Sequence, residues 1–224
     1  MKLTPQQQLA LDHPGNLLLT ACPGSGKTRT IVAKLVNEVE SLRGTPFAVA
    51  CITYTNAAVS EIDARVAAHL MPDDELNYVV STIHSFCLHH ILRPFASRVP
   101  GFSGAMKVLT AEREEFTAIA DQAAEAVGRY DLQFDDYSKF GSIGLDKEGN
   151  FIRSALEDDM VRLAAPHFLR IAAKRGFIDF ASILYRSFCL LRDDPEVAHS
   201  VATKFRSFLV DEFQDTTEIQ VEIL

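Results

Sequence analysis

The sequence predicts an α/β fold, a mostly parallel sheet with helices on both faces interrupted by a mainly helical insert. Three observations predict it. Short apolar runs alternate with longer helical stretches, the pattern of parallel strands joined by crossover helices. The first run leads into a glycine-rich turn that opens a helix, residues 16–28, NLLLTACPGSGKT. The last, Phe208-Leu209-Val210, ends in two carboxylates, Asp211 and Glu212.

With 224 residues, 47% of them hydrophobic and 23% charged, the chain can bury a substantial core. A net charge of −8 excludes a globally basic nucleic-acid binder, so any such surface has to be local. Cys22, Cys51, Cys87 and Cys189 form no C-x-x-C pair, which argues against a zinc site or a disulfide framework and for buried free thiols in a reducing cytosol. No apolar run approaches the roughly 18 residues of a membrane span, and no leader-like segment begins the chain, so a cytoplasmic protein with no membrane partner is expected.

The elements follow in order. Thr4, Pro5 and Gln7 mark a helix start, with Thr4 as N-cap, Pro5 at the first helical position and Gln7 three residues after the cap. Gln7 is thus a capping-box partner or, because an amide can both donate and accept, a residue that reads the edge of adenine. Leu17, Leu18 and Leu19 read as a buried strand. Gly24 and Gly26 permit backbone conformations closed to other residues, and Lys27-Thr28 opens a helix to about residue 42. In such a loop the backbone of residues 23–27 curls around an anion at the helix N-terminus and turns its available N–H groups towards it. Lys27 reaches the β- and γ-phosphates of a nucleotide, and the Thr28 hydroxyl holds Mg²⁺. The usual pattern has glycine where this chain has Ala21.

Residues 47–53 form a second strand, followed by the polar turn Tyr54-Thr55-Asn56 and a helix over 57–69. Residues 79–82 form a third strand, and 83–95 a helix carrying His84 and Ser85. Ligands of a parallel sheet collect at the carboxyl ends of its strands, where 53–56 and 82–85 fall. Thr55 or Asn56 can equally be an N-cap, and His84 a satisfied core histidine. Between residues 93 and 175 prolines and glycines recur and nothing reads as a strand. This segment is expected to be helical and loop-rich, nearly balanced in charge, with Thr110 capping a helix whose first turn holds Glu112, Glu114 and Glu115 and an amphipathic helix over 159–175. A helix over 179–191 and another after Pro195 precede the last strand. There Asp211 can hold the Mg²⁺ shell and Glu212 can polarise a water that attacks a γ-phosphate, unless the pair merely caps a helix.

Taken in order, these pieces resemble the N-terminal part of superfamily 1 DNA helicases of the UvrD/Rep/PcrA type. Leu3-Thr4-Pro5-Gln6-Gln7 resembles the family's Q-motif, and residues 21–29, ACPGSGKTR, its motif I, where alanine at the first position is usual. ITYTNAAVSE at 52–61 is similar to motif Ia, Thr82-Ile83-His84-Ser85-Phe86 to motif Ib, and LVDEFQDT at 209–216 to motif II. Cys22 and Pro23 replace the small residues common in the loop, and Tyr54 stands where phenylalanine is frequent.

The resemblance implies a P-loop NTPase domain of RecA-like fold. Residues 1–92 would be its first part, 93–175 an inserted helical subdomain, and 176–224 its second part, ending before motif III. It implies ATP and Mg²⁺ as cofactors. The loop residues Ala21, Cys22, Pro23, Gly24, Ser25, Gly26, Lys27 and Thr28 would bind phosphate, Gln7 adenine, and Arg29 the base or sugar. Thr28 and Asp211 would bind the metal and Glu212 would be the catalytic base. Gln214 and Asp215 would couple the ATP and DNA sites. Tyr54, Thr55, Asn56, Thr82, His84 and Ser85 would touch single-stranded DNA. The implied function is ATP-dependent 3′ to 5′ translocation or unwinding, in DNA repair for example, for which a second RecA-like domain in cis or trans is the expected partner. A fragment or naturally short relative of this kind would bind nucleotide, turn it over slowly and not unwind alone. The alternatives are a nucleotide-sensing, helicase-like subunit of a DNA-repair or phage-defence complex, with protein partners there, and the motor of a helicase-nuclease.

Overall fold

The computed structural model describes residues 3–20, 22, 24–102, 105–153 and 157–224. In chain order come α1 (Pro5–Asp12), α2 (Lys27–Ser41), β1 (Ala48–Thr53), α3 (Asn56–Ala67), a 3-10 helix (Pro72–Asn77) and β2 (Tyr78–Thr82). Then follow α4 (Ile83–Phe86), which runs on as a π-helix (Cys87–Leu92), β3 (Lys107–Val108), α5 (Glu114–Glu125), α6 (Phe134–Gly141), β4 (Ile143–Leu145) and β5 (Phe151–Arg153). The last are α7 (Asp159–Lys174), β6 (Phe177–Ile178), α8 (Phe180–Asp193), α9 (Pro195–Lys204), β7 (Phe205–Val210) and α10 (Glu218–Ile223). The chain folds as two compact units, residues 1–83 with 199–216 and residues 84–198 with 217–224.

The first unit is built on a parallel sheet of order β2-β1-β7. All six residues of the central strand are buried, which is why that strand reads as an unbroken apolar run. Val49 and Cys51, two apart on β1, share a core with Val32, Leu35 and Val39 of α2 and with Ile62 and Val66 of α3. The helical residues recur every three or four positions, so one stripe of each helix meets one face of the sheet. Burial raises the Cys51 thiol to about 12, with the Asp211 charge adding to it. Beside this core Asp74 accepts both prongs of the Arg43 guanidinium at 2.7 Å and the Met71 N–H at 2.9 Å. The Arg43 bonds first, then the Met71 N–H, hold its carboxyl down at about 2.

The second unit has an aromatic core. Phe168 of α7 meets Phe116 of α5 edge-on at 5.4 Å between ring centres and Phe140 of α6 at 5.2 Å, with Ile119, Ala123, Val161, Ala164 and Ala165 filling in around them. Asp158 caps α7 through the N–H groups of Met160 and Val161 and takes the Lys139 ammonium at 2.8 Å. Strands β4 and β5 form an antiparallel hairpin closed by Asp146, whose Oδ1 accepts from the N–H groups of Glu148 and Asn150.

Several local expectations are corrected. Leu17, Leu18 and Leu19 form no strand: they are exposed, Leu18 by 71%. A short apolar run becomes a strand only where a neighbour supplies a ladder and a layer covers it, and among the described residues β7 pairs with β1 alone. The segment 93–175 does contain strands, β3, β4 and β5, too short to carry a period. Thr110 is not an N-cap. Its carbonyl is taken by the Arg113 N–H in a turn, and α5 begins only at Glu114. The helix expected over 83–95 becomes a π-helix after its first turn. Cys51 and Cys87 are buried free thiols, but Cys22 is exposed and Cys189 half-buried.

Candidate functional site

Register places the chemistry. In the parallel ladder Thr53 stands opposite Thr82 and Ile52 opposite Val210, and the Asp211 N–H donates to the Ile52 carbonyl at 2.8 Å. Three strands therefore end at one level, and Tyr54, Asp211 and Glu212 leave the sheet at its carboxyl edge.

The glycine turn enters this edge from α1. Gly24 (φ +78°) and Gly26 (φ +89°) are left-handed, and the Ser25 N–H donates to the Cys22 carbonyl at 3.1 Å. Gln7 closes the capping box, its Oε1 accepting from the Thr4 N–H at 2.9 Å, while its Nε2 donates to the Ser25 carbonyl at 3.2 Å. A Cβ on Gly26 would lie 2.7 Å from that Nε2, so glycine is required there by contact as well as by φ. Ala21 and Pro23 lie outside the described residues.

Lys27 is the first residue of α2, where a cation opposes the helix dipole. The structure compensates it with a carboxylate: Lys27 Nζ lies 3.3 Å from Glu212 Oε2. Glu212 has a left-handed backbone (φ +52°), and the Gln214 Nε2 donates to its carboxylate. The two adjacent acids are pushed apart. Burial and then the Glu212 charge raise Asp211, whereas Gln214 and then Lys27 lower Glu212. Thr28 is half-buried in the first turn of α2. The exposed Arg29 lines an open cavity of about 290 Å³ with Val32, Arg65, Ala68 and His69.

Of the other expected residues, Tyr54 is 63% exposed and Asn56 is exposed at the start of α3. Thr55 caps α3, accepting the Ala58 N–H at 3.1 Å, and Thr82 ends β2 half-buried. His84 and Ser85 belong to the second unit. There the His84 ring stands edge-on to Phe180 at 5.5 Å, and burial, then the charge of Arg153, keep it below its ordinary pKa. Phe180 and Arg153 were missed by the sequence reading. Phe180 carries a faint signal as a large aromatic directly after the Asp179 cap, whereas the left-handed backbone of Arg153 (φ +62°) has none.

The sequence is similar to known proteins. The chain is 30% identical over 228 residues to the ATP-dependent DNA helicase UvrD1 of Mycobacterium leprae, covering 97% of this chain and 29% of that protein. It is 29% identical over 226 residues to the ATP-dependent DNA helicase PcrA of Bacillus subtilis, covering 97% and 30%. Against PcrA of Staphylococcus epidermidis strain RP62A the identity is 26% over 230 residues, covering 98% and 30%. The chain thus spans less than a third of the length of these relatives. The family profile runs from residue 3 to residue 224, through the glycine turn, both polar strand ends and the Asp211-Glu212 pair, and so the chain belongs to the UvrD/REP helicase N-terminal domain family.

Proposed function

We propose that this chain is the ATP-binding, RecA-like N-terminal portion of an ATP-dependent single-stranded DNA translocase or helicase moving 3′ to 5′. The observation that carries the proposal is the 3.3 Å approach of Lys27 to Glu212, residues far apart in sequence that meet at the carboxyl edge of a parallel sheet. In this reading Glu212 occupies the lysine until an anion replaces it.

The residues fit a nucleotide and a divalent cation on three grounds. Gly24 has no heavy atom within 4 Å of a notional Cβ, which leaves room over the turn. A lysine at a helix N-terminus favours a phosphate. Asp211 and Glu212 destabilise each other as anions, a conflict that a dication would relieve. Bound Mg-ATP supplies the phosphoryl group that water attacks.

This chain's residues do the rest. The loop from Ala21, Cys22 and Pro23 through Gly24, Ser25 and Gly26 to Lys27 cradles phosphate, and the Thr28 hydroxyl and Asp211 hold the metal. Glu212 accepts the water proton and is aimed by Gln214. Gln7 and Arg29 orient the base and sugar. Tyr54 offers a ring to a base, and Thr55, Asn56, Thr82, His84 and Ser85 contact single-stranded DNA, with Phe180 as a further aromatic surface beside His84. Fast turnover is reserved for a molecule in which a second RecA-like domain supplies arginine fingers, worth on the order of 10³ to 10⁵ in rate.

The test is titration of a fluorescent ATP analogue with Mg²⁺ against this chain and Lys27→Ala. Saturable binding weakened about 100-fold or more by the substitution is expected. Equal binding by both proteins would refute the phosphate-loop assignment.

A further inference from the structure

Helix α1 is held to its unit by little apolar surface. Among its residues only Ala10 is buried, and Leu9 is 72% exposed. A two-turn helix with one small buried side chain does not set its own position by packing. Polar bonds therefore decide where it sits. Near its start the Gln7 amide joins it to the glycine turn through the Ser25 carbonyl. At its other end the bonds come from α2.

Lys34 Nζ donates to the Leu11 carbonyl at 3.0 Å and to the His13 carbonyl at 3.1 Å. Carbonyls at a helix C-terminus have no partner within the helix, and a cation is favoured there. The last turn of α1 has no basic residue of its own, so Lys34 supplies one from the neighbouring helix. The ammonium is steadied by Glu38, one turn further along α2, at 3.6 Å, and Glu38 accepts in turn from the Ser207 hydroxyl of β7. Ser207 stands opposite Val49 in the ladder, so this line of bonds ends on the sheet. Lys34 and Glu38 are both half-buried, and every residue of the line belongs to the first unit.

Gln7 has bonding capacity beyond the two bonds it makes. Its Oε1 keeps a lone pair besides the one that takes the Thr4 N–H, and its Nε2 keeps a hydrogen besides the one given to Ser25. An acceptor and a donor side by side match the N6 amino group and N7 of adenine. They mismatch guanine, which offers two acceptors there, O6 and N7. Such a pair discriminates only while the amide is held in register.

We propose that Lys34 is a positioning residue for nucleotide choice: by fastening the end of α1 to α2 it holds Gln7 beside the glycine turn and so sets a preference for adenine over guanine. The inference rests on the base-reading role proposed for Gln7. Lys34 acts through the backbone of α1 and touches no nucleotide.

The test is displacement of a fluorescent ATP analogue from this chain by ATP, GTP and inorganic tripolyphosphate, each with Mg²⁺. The parent is compared with Lys34→Met, Lys34→Arg, Gln7→Ala and the double variant of Lys34→Met with Gln7→Ala. Lys34→Met is expected to lower the ATP-to-GTP affinity ratio about three- to tenfold. Tripolyphosphate, which has no base to read, should bind within twofold of the parent. Lys34→Arg should restore the ratio, because a guanidinium can also donate to two carbonyls. In the double variant the ratio should fall no further than in Gln7→Ala alone, as for two residues that act as one. An unchanged ratio in Lys34→Met, where Gln7→Ala lowers it, overturns the assignment of Lys34 alone. Equal losses of ATP, GTP and tripolyphosphate in Lys34→Met also overturn it, in favour of a lysine that merely holds the fold. A parent without preference for ATP, or a Gln7→Ala that keeps it, overturns the base reading by Gln7 and this inference with it, while tripolyphosphate binding would leave the phosphate loop standing.

Discussion

The two units bury different chemistry. Around α2, β1 and α3 the buried core is Val, Leu, Ile and Cys, whereas around α5, α6 and α7 it is organised by Phe116, Phe140, Phe168 and Phe177. A parallel strand between layers wants branched side chains of even height. In the second cluster helices meet short strands at β4 and β6, and rings supply large contact area there. The difference teaches where each unit keeps its function. In the first the polar residues stand at strand ends, outside the packing, so chemistry and stability are separable. In the second, the candidate residues His84 and Ser85 belong to the helix α4, outside the aromatic cluster.

Phe168→Ala challenges this contrast most severely. It should cost about 3 to 5 kcal/mol in the second unit, seen as an early transition in chemical denaturation, while nucleotide affinity of the first unit at low denaturant stays within twofold. A parallel loss of nucleotide binding would erase the separation between the two cores.

A smaller effect is expected at the strand ends. Glu212→Gln removes the carboxylate that holds Lys27, so nucleotide binding should tighten about two- to fivefold, in line with the worth of a partly exposed ion pair. The melting temperature should barely move. A destabilised protein would mean that this pair belongs to the fold and not to the site.

The mildest test uses acid. Asp74 titrates at about 2 in the folded protein, below the ordinary carboxylate value of about 3.9. A depressed folded pKa stabilises fully above the unfolded value, and that contribution is lost as pH falls from about 4 towards 2. Melting curves of Asp74→Asn should therefore run below the parent at pH 7 and converge with it near pH 2.5. A constant gap across that window would show that the Arg43 fork is not what holds the 3-10 helix.

Much of this was legible in the residues, and what was not has identifiable causes. The strands β1, β2 and β7 were found because central parallel strands are uninterrupted apolar runs, and α2, α3, α7 and α8 because their apolar stripes keep a helical period or start at a capping Asp. Lys27 and Glu212, each singled out in the sequence for a nucleotide site, lie 3.3 Å apart. Leu17–Leu19 misled because apolarity signals a strand only when a partner exists for its ladder. The π-helix after α4 escaped because its buried residues Cys87, Leu88, Ile91 and Leu92 also fit an α-helical stripe. Arg153 was invisible, since nothing in an arginine side chain announces a positive φ.

The pairing of β7 with β1 has an architectural consequence. Asp211 takes its place from the ladder bond to Ile52 and not from the length of chain that precedes it. Everything between Thr82 and Phe205 is then a cassette, whose loop-closure cost rises only by about 0.6 kcal/mol for each doubling of length. That cassette can therefore change in length at small cost while the two acids return to the same address beside the lysine.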